Sequence, residues 1–111
     1  MSEPEIAYHL ILGASETPVA SSALRLFLGD EAHQPRIRSL VREVLAALDA
    51  EPAAGGALTV GLTPQQMKIT HSALKLLHDD LGREQADERE VLRRILDKLP
   101  DEHTMRAIEI E

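Results

Sequence analysis

Four bases fall at helical spacing in one short segment: Lys68, His71, Lys75 and His78. At about 100° per residue, with Lys68 at zero, they stand at roughly 0°, 300°, 340° and 280°. The apolar side of the same segment spans roughly 80° to 260°. The four therefore form one narrow stripe beside the apolar face. Such a stripe can dock an acidic protein segment or hold an anionic ligand. It is also how an ordinary solvated helix face looks, with Lys75 paired to Asp79 four residues later.

Metal chemistry does not fit these residues. His71 and His78 are seven apart, about 10.5 Å of helical rise. One ion with nitrogen bonds of about 2.1 Å cannot take both from one helix. Zinc-protease spacing would need two His four apart with a Glu between them. No metal site is expected, and no cofactor.

Paired acids are the next candidates. Asp79-Asp80 with Glu84, and Asp101-Glu102-His103, could do acid–base work if they shared a dry site. They fall at a helix end and in a short loop, where water reaches them, so capping and solubility are the expected roles. Asp80 stands at about 120° on its helix, inside the apolar arc, and Asp30 holds the same place earlier in the chain. An ion pair with Arg83, Arg93 or Arg94 would satisfy Asp80 there. His9 stands alone on a strand. A Gly-x-Ser-x-Gly elbow, a phosphate-binding Gly-x-x-x-x-Gly-Lys loop and a dinucleotide fingerprint are all missing from the sequence. Gly55-Gly56 precedes a strand and reads as a turn. No catalytic residue is assigned.

Charge and composition narrow the partners. Nineteen acids against twelve bases give a net charge of −7 over 111 residues. Phosphate backbones and anionic lipid repel such a chain unless its bases cluster. One Tyr, one Phe and no Trp leave few platforms for stacked bases. Nucleic acid is therefore not an expected partner. Apolar runs are a few residues long, far short of the roughly 20 that span a membrane. Acids at positions 3 and 5 stand where a secretory leader would be basic. With no Cys to form disulfides, the expectation is a cytoplasmic protein.

The elements that must carry these residues are legible. Thr63-Pro64-Gln65-Gln66 is a helix start: Thr63 caps, Pro64 takes the first position and Gln66 closes a capping box. Leu62 and Met67 sit where a hydrophobic staple would form. The helix runs over 64–81, and Gly82 is expected to stop it in the left-handed conformation. Another helix starts at Asp87 and presents Val91, Leu92, Ile95, Leu96 and Leu99 before Pro100. In the first half, Thr17-Pro18 opens a helix that Gly29 should stop. Pro35 opens one with Ile37, Leu40, Val41, Val44, Leu45 and Leu48 on one side. Period-two alternation predicts strands over 6–12, 58–62 and 107–110.

The halves match. Ser22 to Phe27 (Ser-Ala-Leu-Arg-Leu-Phe) corresponds to Ser72 to Leu77 (Ser-Ala-Leu-Lys-Leu-Leu) fifty residues later. Leu40–Leu48 corresponds to Val91–Leu99, fifty-one later. The pattern reads as an internal repeat over 6–62 and 58–110 that shares the middle strand, within a single domain 1–111. Short connections favour antiparallel neighbours. The expected fold is α+β, a β-αα-β-αα-β arrangement: a three-stranded, mainly antiparallel sheet with four amphipathic helices packed on it.

If all four helices cover one sheet face, the other carries Ala7, His9, Ile11, Thr59, Gly61 and Ala107. These residues are small or apolar, unlike an ordinary water-facing sheet. The functional expectation is a non-enzymatic protein–protein interaction or assembly module acting as a homodimer through that face. The alternative is a small-ligand-binding or regulatory domain using the Lys68, His71, Lys75 and His78 stripe.

Overall fold

Thr63 begins the central helix in the way its sequence predicts. In the computed structural model its Oγ1 accepts from the Gln66 amide at 3.2 Å, while Gln66 Oε1 accepts from the Thr63 amide at 3.0 Å. Two of the otherwise unpaired donors at the helix start are thereby satisfied. Leu62 and Met67, the two staple positions, are both buried.

The structure describes residues 8–30, 35–49, 56–100 and 102–108. Their order is β1 (Tyr8–Leu12), α1 (Thr17–Asp30), α2 (Pro35–Leu48), β2 (Leu58–Leu62), α3 (Pro64–Asp80), a 3-10 turn (Arg83–Gln85), α4 (Ala86–Lys98) and α5 (Glu102–Arg106). Among the described residues the fold is α+β: five helices with a two-stranded antiparallel sheet. Two helices, rather than a tight turn, connect the strands. That connection returns β2 beside β1 in the antiparallel sense.

The register pairs Tyr8 with Leu62, His9 with Gly61, Leu10 with Val60, Ile11 with Thr59 and Leu12 with Leu58. One face of the pair buries Leu10, Leu12, Leu58, Val60 and Leu62. This face and the apolar sides of α1 to α4 form one core, in which Leu24, Val41, Leu74, Leu92 and Ile95 are fully enclosed. Thr70 is polar and buried on α3, and its hydroxyl donates to the Gln66 carbonyl at 2.8 Å. That local bond removes the cost of burying it.

Four expectations need correction. First, the described residues contain no third strand. Most of the link from Pro100 is helix α5, anchored by buried Met105. The amides of Ala107 and Ile108 bond back to the carbonyls of Thr104 and Met105, at 3.2 and 3.1 Å, so they are not free for a ladder. Residues 109–110 of that expected strand, like Ile6 and Ala7 of the first, lie outside the described residues. Second, Gly82 does not end α3 in the left-handed region. Its φ is −89°, Leu81 before it is extended, and a 3-10 turn follows before α4. Third, Gly29 lies inside α1 rather than after it. Fourth, Asp80 is exposed and makes none of the expected ion pairs with Arg83, Arg93 or Arg94. As the last residue of α3, it extends past the packed part of the helix into water.

The turn before β2 does need glycine. Gly56 has a φ of 81°, and a Cβ there would come within 3.2 Å of the Ala14 methyl group. A left-handed φ and a close approach together favour the residue without a side chain.

Candidate functional site

The outward face of the sheet spans two paired five-residue strands. His9, Ile11 and Thr59 are exposed on it, and Gly61 is half-buried. Ile11 is 56% exposed, one of three large apolar side chains open to water among the described residues. Ile11 faces Thr59 and His9 faces Gly61 across the strands, so two small residues flank the one large aliphatic. No ionised acid or lysine stands on these four positions. Ala107, placed on this face from the sequence, is instead exposed in the turn after α5, and Ala7 lies outside the described residues.

The other two exposed aliphatics are Leu26 and Leu76, at 57% and 49%. Both border one apolar groove between α1 and α3, with a cavity of about 170 Å³. Ala23, Phe27, Ala73 and Leu77 complete its walls, with Asp80 at the rim. Every apolar wall residue has its counterpart fifty positions away on the other helix.

The basic stripe on α3 divides. Lys68, His71 and Lys75 border one hollow of about 290 Å³, closed on its far side by Met105 and Arg106 from α5. The Lys68 ammonium donates to the Ile108 carbonyl, which ties the segment after α5 to α3. Lys75 Nζ lies 3.3 Å from Asp79 Oδ1, and His78 Nδ1 lies 3.1 Å from the same oxygen. The His78 hydrogen bond holds the Asp79 carboxyl below the usual carboxylate range. Burial opposes this, and the Lys75 hydrogen bond and both neighbouring charges add to the lowering. Asp79 therefore offsets part of the stripe's charge. His78 borders a different hollow, on the α4 side, with Arg89, Arg93 and Arg94.

A polar tie absent from the sequence reading joins β1 to α4. Glu16 is 6% exposed, and Lys98 Nζ lies 2.5 Å from its Oε1. The same carboxylate oxygen accepts from the Gly13 amide at 2.7 Å. Lys98 also donates to the Ile11 carbonyl at 3.0 Å, while the Tyr8 hydroxyl donates to the Lys98 carbonyl. Burial pushes the Glu16 carboxyl up. The Gly13 amide, the Lys98 hydrogen bond and charge, and the Arg94 charge together outweigh it and hold the group below its ordinary value. The available signal was Gly13 followed three residues later by Glu16, the spacing at which a carboxylate reaches back to an amide. The partner, Lys98, is 82 residues away and has no local signature.

Among the described residues no group of three or more His, Asp or Glu is placed to hold a metal ion. None of their helices is long and apolar enough to cross a membrane. No family model, no curated protein and no solved structure matches the chain.

Proposed function

We propose that this protein is an interaction or assembly module that acts as a homodimer in the cytoplasm, with the outward sheet face as its interface. The observation that carries this reading is Ile11: a large aliphatic, more than half exposed, on a face that otherwise carries His9, Thr59 and Gly61 among the described residues. A water-facing antiparallel sheet ordinarily carries charged and polar residues. Small side chains allow a second sheet to approach to the usual spacing of about 10 Å. In a two-fold dimer each copy offers the same patch, so the two Ile11 side chains and their Thr59 neighbours would meet their equivalents. Amide exchange compared at dilute and concentrated protein tests it. Slowing confined to β1 and β2 at high concentration supports the interface, and unchanged exchange there counts against it.

The same reading takes the chain as two strand–helix–helix units, each opening on its own strand, rather than two units sharing a middle one. Equivalent positions fifty residues apart meet at the sheet and again in the α1–α3 groove.

A second reading uses Lys68, His71 and Lys75, and rests on the hollow that they form with Arg106. There the protein would dock an acidic protein segment or a small anion. Binding of an acidic peptide that weakens with salt and is lost in a Lys68→Ala, Lys75→Ala variant supports it. Binding indifferent to both removes it.

A further inference from the structure

The hollow between the end of α3 and the outer flank of α4 has no role in either reading. It has a cavity of about 580 Å³, bordered by His78, Arg89, Glu90, Arg93, Arg94 and Asp97, with Ala86 at one end. The α4 residues recur at three- and four-residue spacing, so they form one stripe beside the buried positions Leu92 and Ile95. This places three guanidinium groups together on a chain of net charge −7.

Arg94 acts on the Glu16 carboxyl through its charge, at longer range than an ion pair. Among the described residues, the ion pairs are Arg25–Asp49, Lys75–Asp79, His78–Asp79 and Lys98–Glu16. None involves Arg89, Arg93 or Arg94, although Glu90 and Asp97 stand on the same stripe. Arg89 adds an independent sign: its Nε is buried and has no hydrogen-bond partner. Buried donors in native proteins are almost always satisfied. That Nε has almost no surface open to solvent, so an incoming anion would meet the other guanidinium nitrogens of the cluster.

We infer that this hollow binds a small phosphorylated polyhydroxy compound, such as a sugar phosphate. Planar guanidinium groups match phosphate oxygens in pairs, and three of them suit a dianion. Glu90 and Asp97 then have a separate use, since carboxylates accept hydrogen bonds from hydroxyl groups. The same two acids disfavour a continuous polyanion such as a nucleic acid or an anionic bilayer. Among the described residues no Phe, Tyr or Trp borders the hollow. His78, its Nδ1 held against Asp79, closes the α3 side.

The test is titration of the full chain at low salt with inorganic phosphate and with a hexose 6-phosphate, followed by amide and side-chain NMR shifts. The expected result is saturable binding of both, with shifts centred on His78 and residues 86–97. The hexose phosphate should bind more tightly. Arg93→Ala with Arg94→Ala should weaken both by about tenfold or more, the usual scale for charged hydrogen bonds. Glu90→Gln with Asp97→Asn should remove the hexose phosphate's advantage and leave phosphate binding in place. Both arginines are exposed, so the fold should survive, and a circular dichroism melt checks that. Failure of either compound to saturate, or affinity unmoved by the arginine variant, overturns the site. Equal affinity for the two compounds overturns the polyhydroxy assignment.

Discussion

Leu10 stands directly opposite Val60 across the sheet, and the two are fifty residues apart in the chain. Fifty is also the offset between the matching segments Ser22–Phe27 and Ser72–Leu77. When two equivalent antiparallel strands pair at equivalent residues, a local two-fold axis passes between those residues, normal to the sheet. Ala23, Leu26 and Phe27 of α1 likewise border the same groove as Ala73, Leu76 and Leu77 of α3. The proposed two-unit reading would account for both meetings by one symmetry, and the exposed aliphatics Ile11, Leu26 and Leu76 lie on the sheet's outer face and at the groove.

Equivalent positions should respond alike. Ala23 and Ala73 are each about 1% exposed where α1 crosses α3. Replacing either by Leu should overpack that crossing and cost about 1–3 kcal/mol. The two single variants should lose similar stability in urea melts, and the double variant should depart from additivity because the sites adjoin. A large cost at one and none at the other would contradict the two-unit account.

The Glu16–Lys98 tie should show itself in acid. The folded Glu16 carboxyl lies below its ordinary value, so its contribution is present above the unfolded carboxylate value, about 4.3, and disappears as the pH falls through the folded value. Glu16→Gln should therefore cost more at pH 7 than at pH 3, measured as urea midpoints at both. Lys98→Met leaves a buried carboxylate with one fewer donor and should cost about 1–3 kcal/mol at pH 7. A pH-independent difference between wild type and Glu16→Gln would remove the tie as a stabilising element.

Capping at Thr63 is separable from the core. Thr63→Ala removes the bond to the Gln66 amide and should cost about 1 kcal/mol. Lys75→Ala loses only an exposed pair and should change stability by less than about 0.5 kcal/mol. Leu74→Ala, at a fully enclosed position, should cost about 2–5 kcal/mol. Thermal melts should show the largest loss for Leu74→Ala, then Thr63→Ala, and the smallest for Lys75→Ala.

Local chemistry was legible and distant partnership was not. The sequence predicts a helix opening at Pro35 and a strand from Leu58 to Leu62, and the structure has both, because proline, caps and periodicity act within a few residues. The third strand was misread because Ala107 to Ile110 alternate in type, while the anchor at Met105 and the helical amide bonds of Ala107 and Ile108 depend on packing against α3. Asp80 was assigned by helical angle alone. Angle gives a direction around the axis but not whether the helix end is still covered. The stripe's division follows the same logic. Lys68 and His78 share a helix face, but α5 stands beside one and α4 beside the other. Arg89 and Arg93 stand at i, i+4, but Glu90 and Asp97 on the same helix offer partners in sequence, so their lack of an ion pair among the described residues has no local signature.

The homodimer is tested most directly by the mass in solution. The chain weighs 12.2 kDa, so light scattering at micromolar concentration should give twice that mass. Ile11→Glu should return a folded species of the single-chain mass, because it sets a charge on the sheet's outward face. A wild-type chain that scatters as a clean monomer, with Ile11→Glu equally folded and soluble, would contradict the account.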